Sequence, residues 1–334
     1  MRFWLVVVAS LGACVSSSDP IEPQVTSGAT QLRIPISINR RIDILFVIDN
    51  SPAMAPHIEN VKANLARFIG ILRGLEFGLP DLRLGVVTTD PVDDAKLRGT
   101  SGLTGNFVVD LVGPDGTRIH NYDGDLDAVF ARLADVGTTG GDPQPLAAAR
   151  RAFEHPMNKS FSRVEAYTAI FFISASDTPE TAFESFVGFF KALHTDPSKI
   201  MVGGVLGDGP NLRAFLDQFP NRSTRASITE ADWSSVFDIL TQFIKTALGS
   251  PCVEGPLVDV DPIAPGPQYE CAVWYDFPIG GYVVPACTGT LGGECWRILE
   301  DTARCPASTG YFKLEQQRVD MPDEVMLNVD CLSR

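Results

Sequence analysis

The chain has 334 residues, 45% of them apolar and 20% charged, a balance that fits a folded globular protein and excludes wholesale disorder. Its formal net charge of −14 argues against nucleic acid and against a polybasic grip on anionic lipid, both of which need clustered Lys and Arg. No apolar run past the N-terminus has the length of a membrane-spanning helix.

The first stretch, "MRFWLVVVASLGAC", has one cation, an apolar segment, small residues and then Cys14. That is the layout of a secretory signal, too short to be a transmembrane anchor. Leu11-Gly12-Ala13-Cys14 resembles the bacterial lipobox, which implies lipidation of Cys14 after cleavage; the alternative is ordinary secretion with an incidental cysteine. Residues 1–14 are therefore expected to be a lipoprotein signal and residues 15–39 a flexible tether. Val15, in place of an aspartate that would retain the protein at the inner membrane, points to the outer membrane of a Gram-negative bacterium.

From residue 40 to 249, buried-strand runs alternate with helical repeats. "IDILFVID" (42–49) predicts a strand, and Met54, Ile58, Val61, Leu65, Phe68, Ile69 and Leu72 an amphipathic helix. "LRLGVVTTD" predicts a second strand, and "NFVVDLV" with the following "GPDG" an edge strand and turn. Two helices follow, over Leu126–Leu133 and after Pro145, then the strand "YTAIFFIS". A helix through Phe183–Leu193, the strand "KIMVGGVLG", the helix "NLRAFLDQF", a short strand at "RASIT" and a closing helix from Trp233 to Gly249 complete the series. Such alternation predicts an α/β fold, a doubly wound and mainly parallel sheet covered on both faces. Right-handed crossovers place the strand C-termini on one rim, so Asp49, Asp90 and Asp177 should gather on or near it.

Beyond residue 249 the character changes. "GSPCVEGPLVDVDPIAPGPQ" is dense in Pro and Gly, and residues 250–334 hold Cys252, Cys271, Cys287, Cys295, Cys305 and Cys331. Six cysteines confined to one short region predict a disulfide-stapled module of strands and loops, with the pairing left open by spacing alone. Zinc is disfavoured because no Cys-x-x-Cys occurs and no histidine follows His194.

The stretch "DILFVIDNSPAM" resembles the first strand and metal loop of a von Willebrand factor A-type domain, whose pattern is Asp-x-Ser-x-Ser. The whole chain resembles bacterial lipoproteins that join such a domain to a Cys-rich tail, through "GVVTTD", "GTTGGDPQPLAAARRAF" and "CVEGPL". The resemblance implies a divalent-cation site for magnesium or a similar ion, a protein ligand that completes the shell with an acidic side chain, and a role in adhesion or protein–protein interaction. Carried onto this sequence, the metal residues are Asp49, Ser51, Thr139 (less well, Thr138) and Asp177, with Asp142 able to approach from the threonine loop. Two departures weaken the set. Ala53 stands at the second serine, and the place after the later strand falls on Ala175 or Ser176, with Asp177 slightly late. Magnesium prefers oxygen ligands and keeps several waters, so a missing hydroxyl can be replaced by water; the alternative is that Asp49 and Ser51 only cap a helix.

Other chemistry finds little support. Nucleophile elbows, P-loops and zinc helices are absent from the sequence. A Ser51–His57 dyad would make the chain a hydrolase, but the helix should carry His57 off the rim. His57, His120, His155 and His194 read as surface histidines, and Asp93 and Asp94 as solvated loop charge. The sequence therefore predicts a binding module rather than an enzyme.

Overall fold

A computed structural model describes residues 29–36, 40–75, 78–113, 117–220, 222–233 and 236–237, and in the C-terminal part 252–253, 257–261, 263, 267–277, 280–287, 293–300, 310–315 and 325–332. The leader with Cys14, Cys305 and most of the predicted closing helix lie outside the described residues.

The chain from β2 to β8 forms a mixed α/β unit. Its strands are β2 (Arg41–Ile48), β3 (Asp81–Thr88), β4 (Val108–Val112), β5 (Arg118–His120), β6 (Tyr167–Ser174), β7 (Ile200–Leu206) and β8 (Ser223–Ser227). They make one seven-stranded sheet in the order β5-β4-β3-β2-β6-β7-β8, after the strand β1 described below. The pairs β2–β3, β2–β6, β6–β7 and β7–β8 are parallel, and β3–β4 and β4–β5 antiparallel. The helices are α1 (Ile58–Arg73), α2 (Leu126–Ala134), α3 (Pro145–Glu154), α4 (Glu184–Lys191) and α5 (Pro210–Leu216).

The alternation of side chains along β2 decides how the layers assemble. Ile42, Ile44, Phe46 and Ile48 enter one core with Leu65, Phe68 and Ile69 of α1, Val129 and Phe130 of α2, and Trp233 and Phe237. Leu45 and Val47 enter a second core with Leu146 and Ala149 of α3, Phe190 of α4 and Phe215 of α5. Phe46 is the hub of the first, its ring 5.4 Å from Phe68, 5.0 Å from Phe130 and 5.6 Å from Phe171. With both faces covered, β2 and β6 are almost wholly buried, which is why they read as mainly apolar runs.

Among the described residues the regular elements of the C-terminal part are strands: β9 (Cys252–Val253), β10 (Cys271–Phe277), β11 (Gly280–Val283), β12 (Cys295–Leu299), β13 (Gly310–Glu315) and β14 (Val325–Leu332). Disulfides join Cys271 to Cys331 and Cys287 to Cys295, two of the bridges the cysteine count predicts. Cys252 lies in β9. A small core of Val273, Tyr275, Trp296, Phe312, Leu327 and Val329 fills this part, and Glu294 accepts hydrogen bonds from the hydroxyls of Tyr275 and Tyr282 at 2.7 and 2.8 Å.

One segment departs from the expected layout. Residues 29–36, expected within a flexible tether, form strand β1 (Ala29–Ile36), paired antiparallel with β14 from Ala29↔Leu332 to Ile36↔Val325. The order β1-β14-β10-β11 therefore joins a segment that precedes the α/β unit to segments that follow it. Arg40, directly before β2, adopts a left-handed φ of 51° and donates from Nη2 to the Gly78 carbonyl at 2.8 Å.

Candidate functional site

The C-terminal ends of β2, β3 and β6 carry three short polar segments, Asp49-Asn50-Ser51, Thr89-Asp90 and Ala175-Ser176-Asp177. Asp49 is fully buried. Its amide donates to the Ile173 carbonyl at 2.8 Å, extending the β2–β6 ladder by one residue. The carboxylate then turns back on its own loop: Oδ1 accepts from the Ser51 amide at 2.8 Å, and Oδ2 from Ser174 Oγ at 2.9 Å and the Ser176 amide at 3.4 Å. Pro52 starts a 3-10 turn at 52–57 directly after Ser51.

Ser51 is 5% exposed, yet its hydroxyl has no hydrogen-bond partner among the described residues. Ser51 sits at the N-cap position of the 52–57 turn, but its side chain makes no capping bond there, and it forms no dyad with His57. Asn50 Oδ1 and Thr89 Oγ1, on the same rim, are also buried without a partner. Buried oxygens of this kind normally find a donor, and leaving one unpaired costs about 1–3 kcal/mol. Three orphaned oxygens next to a buried carboxylate are an oxygen-rich donor set short of a cation or a proton donor.

The predicted threonine loop does reach this corner. The Gly140 amide donates to the Asn50 carbonyl at 2.8 Å, and a Cβ on Gly140 would fall 2.4 Å from Asn50 Oδ1, so only glycine admits this approach. Thr139 precedes that contact with its side chain exposed, and Asp142 is exposed in the same loop.

Asp177 does not join the cluster. Its Oδ2 accepts from the Asn211 amide at 2.9 Å and its Oδ1 from the Leu212 amide at 2.8 Å. The physical reason is the unpaired first amides of α5, which draw the nearest carboxylate. A Cβ on Gly209 would lie 2.1 Å from Asp177 Cγ, a measure of how closely the two segments pack. The residues facing Asp49 after β6 are instead Ser174 and Ser176, which offer a hydroxyl and an amide in place of a second carboxylate. Among the described residues, no three His, Cys, Asp or Glu side chains come together as a metal cluster. Asp49 and Ser51 are the residues of this corner whose oxygens match the ligand preference of a hard cation.

Asp90 is the acid whose role at the rim sequence patterning leaves unassigned. Its Oδ1 accepts from the Val92 amide and its Oδ2 from the Gly141 amide, both at 2.9 Å. Beside it opens a cleft of about 290 Å³ lined by Thr89, Asp90, Asp94, Gln144, Ala148 and Arg151.

Two histidine assignments also change, while Asp93 and Asp94 stay solvent-accessible acids that accept hydrogen bonds. His155 and His194 are each only 5% exposed. His155 Nδ1 accepts from the Met157 amide at 3.1 Å, so Nε2 carries the proton toward Asp94 Oδ2 at 3.1 Å. Asp94 also receives Arg151 Nε at 3.0 Å, and these partners hold its carboxyl below the usual range. Asp93 accepts from Thr88 Oγ1. His194 bridges the Val164 carbonyl and the Thr168 hydroxyl, each at 2.9 Å, and burial pushes its pKa down. None of these contacts has a local spacing that reveals it.

No family model matches the chain, and no curated protein matches it. Among solved structures, proximal thread matrix protein 1 from the mussel byssus (crystal form 2) is similar at a TM-score of 0.40 and 13% identity, over 68% of this chain and 52% of that one. A second structure of the same byssus protein gives a TM-score of 0.40 and 11% identity, over 64% and 48%. The chain thus spans about half the length of that protein. A likeness this shallow carries no functional argument. Among the described residues no helix is long and apolar enough to cross a membrane.

Proposed function

We propose that the α/β unit is a doubly wound, von Willebrand factor A-type binding domain that docks a protein partner at the Asp49–Ser51 rim. The buried, partnerless Ser51 hydroxyl beside the buried Asp49 carboxylate is the observation that carries this reading. The strand order supports it: the chain runs outward from β2 to β3 on one side and returns to β6 on the other, and Asp49 follows β2, at the point of reversal. Crevices at such points are where open α/β sheets take ligands.

A magnesium or similar divalent ion held by Asp49 and Ser51 supplies open coordination positions for an acidic side chain of the partner. The chain's own part is to hold the carboxylate still through Ser51, Ser174 and Ser176 and to bring Thr139 to the same corner. On this reading the protein is an adhesion or scaffold module of the cell envelope, tethered through lipidated Cys14 at the outer membrane, with the disulfide-stapled strands as its second part.

Calorimetric titration of the purified protein with MgCl2 and MnCl2 tests the proposal. Weak binding is expected to wild type, tighter binding to Ala53→Ser, which restores a hydroxyl on the exposed turn after Ser51, and none to Asp49→Ala. A bound ion also raises the melting temperature by mass action. Absence of binding to both wild type and Ala53→Ser removes the cation from the proposal.

A further inference from the structure

The loop between α2 and α3 is held from two strand ends at once. The β2 end contributes the Asn50 carbonyl to the Gly140 amide at 2.8 Å. From the β3 end come the Thr89 carbonyl, which accepts the Gln144 amide at 2.9 Å, and the Asp90 carboxylate, which accepts the Gly141 amide at 2.9 Å. Of these three bonds only the last is made by a side chain, and its acceptor is charged. Charge-assisted hydrogen bonds to backbone amides are roughly twice as strong as neutral ones.

Asp90 is fixed from its other side as well. Its Oδ1 accepts the Val92 amide, so one carboxylate ties the 91–93 turn to the loop. The loop contributes the complementary feature, consecutive glycines. Gly140 lies against the Asn50 amide group with no room for a side chain. At Gly141 an added Cβ would sit 3.6 Å from Asp90 Oδ1, in ordinary contact, so its amide reaches the carboxylate without crowding.

We infer that Asp90 is a positioning residue that clamps residues 138–144 and thereby holds the Thr139–Gly140 segment against Asn50, at the corner that carries Asp49 and Ser51. The clamp stands on geometry alone; its consequence for a ligand rests on the docking reading proposed above. Asp90, rather than Asp177, is the rim carboxylate bonded to this loop. Its action goes through the loop, since its two oxygens each serve a backbone amide.

Two readouts on the full chain test this. Amide hydrogen exchange is followed by mass spectrometry in peptides covering 138–144, 167–174 and 210–216. Asp90→Ala is expected to speed exchange in 138–144 by about tenfold, equivalent to ~1.4 kcal/mol, with no change in the β6 peptide. Asp90→Asn, which keeps one acceptor oxygen, should fall between wild type and Asp90→Ala. Asp177→Ala should leave 138–144 unchanged and loosen 210–216 instead. Unchanged exchange in 138–144 for Asp90→Ala, or an equal rise in the β6 peptide, overturns the clamp. The second readout is MnCl2 affinity, expected to weaken about tenfold in Asp90→Ala and less in Asp90→Asn. If exchange rises while affinity holds, the loop is clamped but does not shape the site, and the positioning role is overturned. If wild type binds no manganese, the cation reading fails, and the exchange result still decides the clamp.

Discussion

Asp43, near the start of β2, and Asp49, just past its end, are both fully buried, and their surroundings differ in kind. Asp43 faces a fixed cation. Arg163 donates to it from its amide at 2.6 Å, from Nε at 2.9 Å and from Nη2 at 2.7 Å, and spends further Nη2 bonds on the carbonyls of Ile42 and Asp81. Among the described residues, Asp49 faces two amides and a hydroxyl, with unpaired oxygens of Asn50, Ser51 and Thr89 on the same rim. One end of the sheet is closed by the protein's own charge. At the other end the acid is held by neutral donors, and oxygens stay unspent. That asymmetry is what separates a structural ion pair from a place prepared for something else.

The largest expected effect is at the closed end. Asp43→Asn leaves a buried guanidinium without its counter-charge, and breaking a buried pair from one side typically costs about 3–5 kcal/mol. Urea unfolding should show that loss, and Arg163→Met a comparable one. The pH dependence gives an independent check. Burial pushes the Asp43 carboxyl up to about 6 against the opposing pull of Arg163, from an ordinary value of 3.8. The folded chain therefore binds this proton more tightly than the unfolded chain between those values. Its contribution to stability is full below the unfolded pKa and is lost as pH rises toward 6. In Arg163→Met burial acts unopposed, so the loss should extend to higher pH. Unfolding midpoints that stay parallel for the two proteins from pH 5 to 8 would contradict the assignment.

The same substitution at the open end should cost less. Asp49→Asn keeps one acceptor oxygen, so its charged hydrogen bonds weaken toward the neutral range, a loss of about 1 kcal/mol each, and no buried cation is stranded. The comparison sharpens when a divalent ion is added. Magnesium or manganese should stabilise wild type and Asp43→Asn alike, and Asp49→Asn hardly at all. If Asp49→Asn proves as damaging as Asp43→Asn in the absence of metal, Asp49 belongs with the structural acids.

Much of the α/β unit was legible because its elements announce themselves locally. Apolar runs mark β2, β3, β6 and β7, and a 3.6-residue stripe from Val61 to Leu72 marks α1. Three-residue β5 has no such run, since Arg118, Ile119 and His120 are too short a pattern to rise above a loop. β1 carries a local signal: Leu32, Ile34 and Ile36 alternate with Gln31, Arg33 and Pro35. Its partner is at the far end of the chain, with Leu32 opposite Val329 and Ile34 opposite Leu327, so no local pattern names the pairing. The site divides the same way. Asp49, Ser51 and Thr139 follow from the motif resemblance, whereas the choice between Asp90 and Asp177 depends on which carboxylate finds which amides after folding. His155 with Asp94, and Asp43 with Arg163, are likewise tertiary pairings that spacing does not encode.

Asp177 provides the smallest effect and the finest discrimination between the two kinds of acid. Its carboxylate accepts the Asn211 and Leu212 amides at the start of α5, and removing a capping side chain costs about 0.5–2 kcal/mol. A negative charge there also meets the positive end of the helix dipole, a gain that salt screens. Asp177→Ala should therefore lower the urea midpoint slightly, with the deficit shrinking as ionic strength rises. Because both carboxylate oxygens face α5, the same variant should keep the wild-type stabilisation by magnesium or manganese. A ligand would behave in the opposite way, since its loss would weaken the metal response more than the metal-free fold. Melting temperatures of wild type and Asp177→Ala, each with and without manganese, separate the two. A response abolished in Asp177→Ala would return that residue to the cation shell and require its carboxylate to leave α5 when the ion binds.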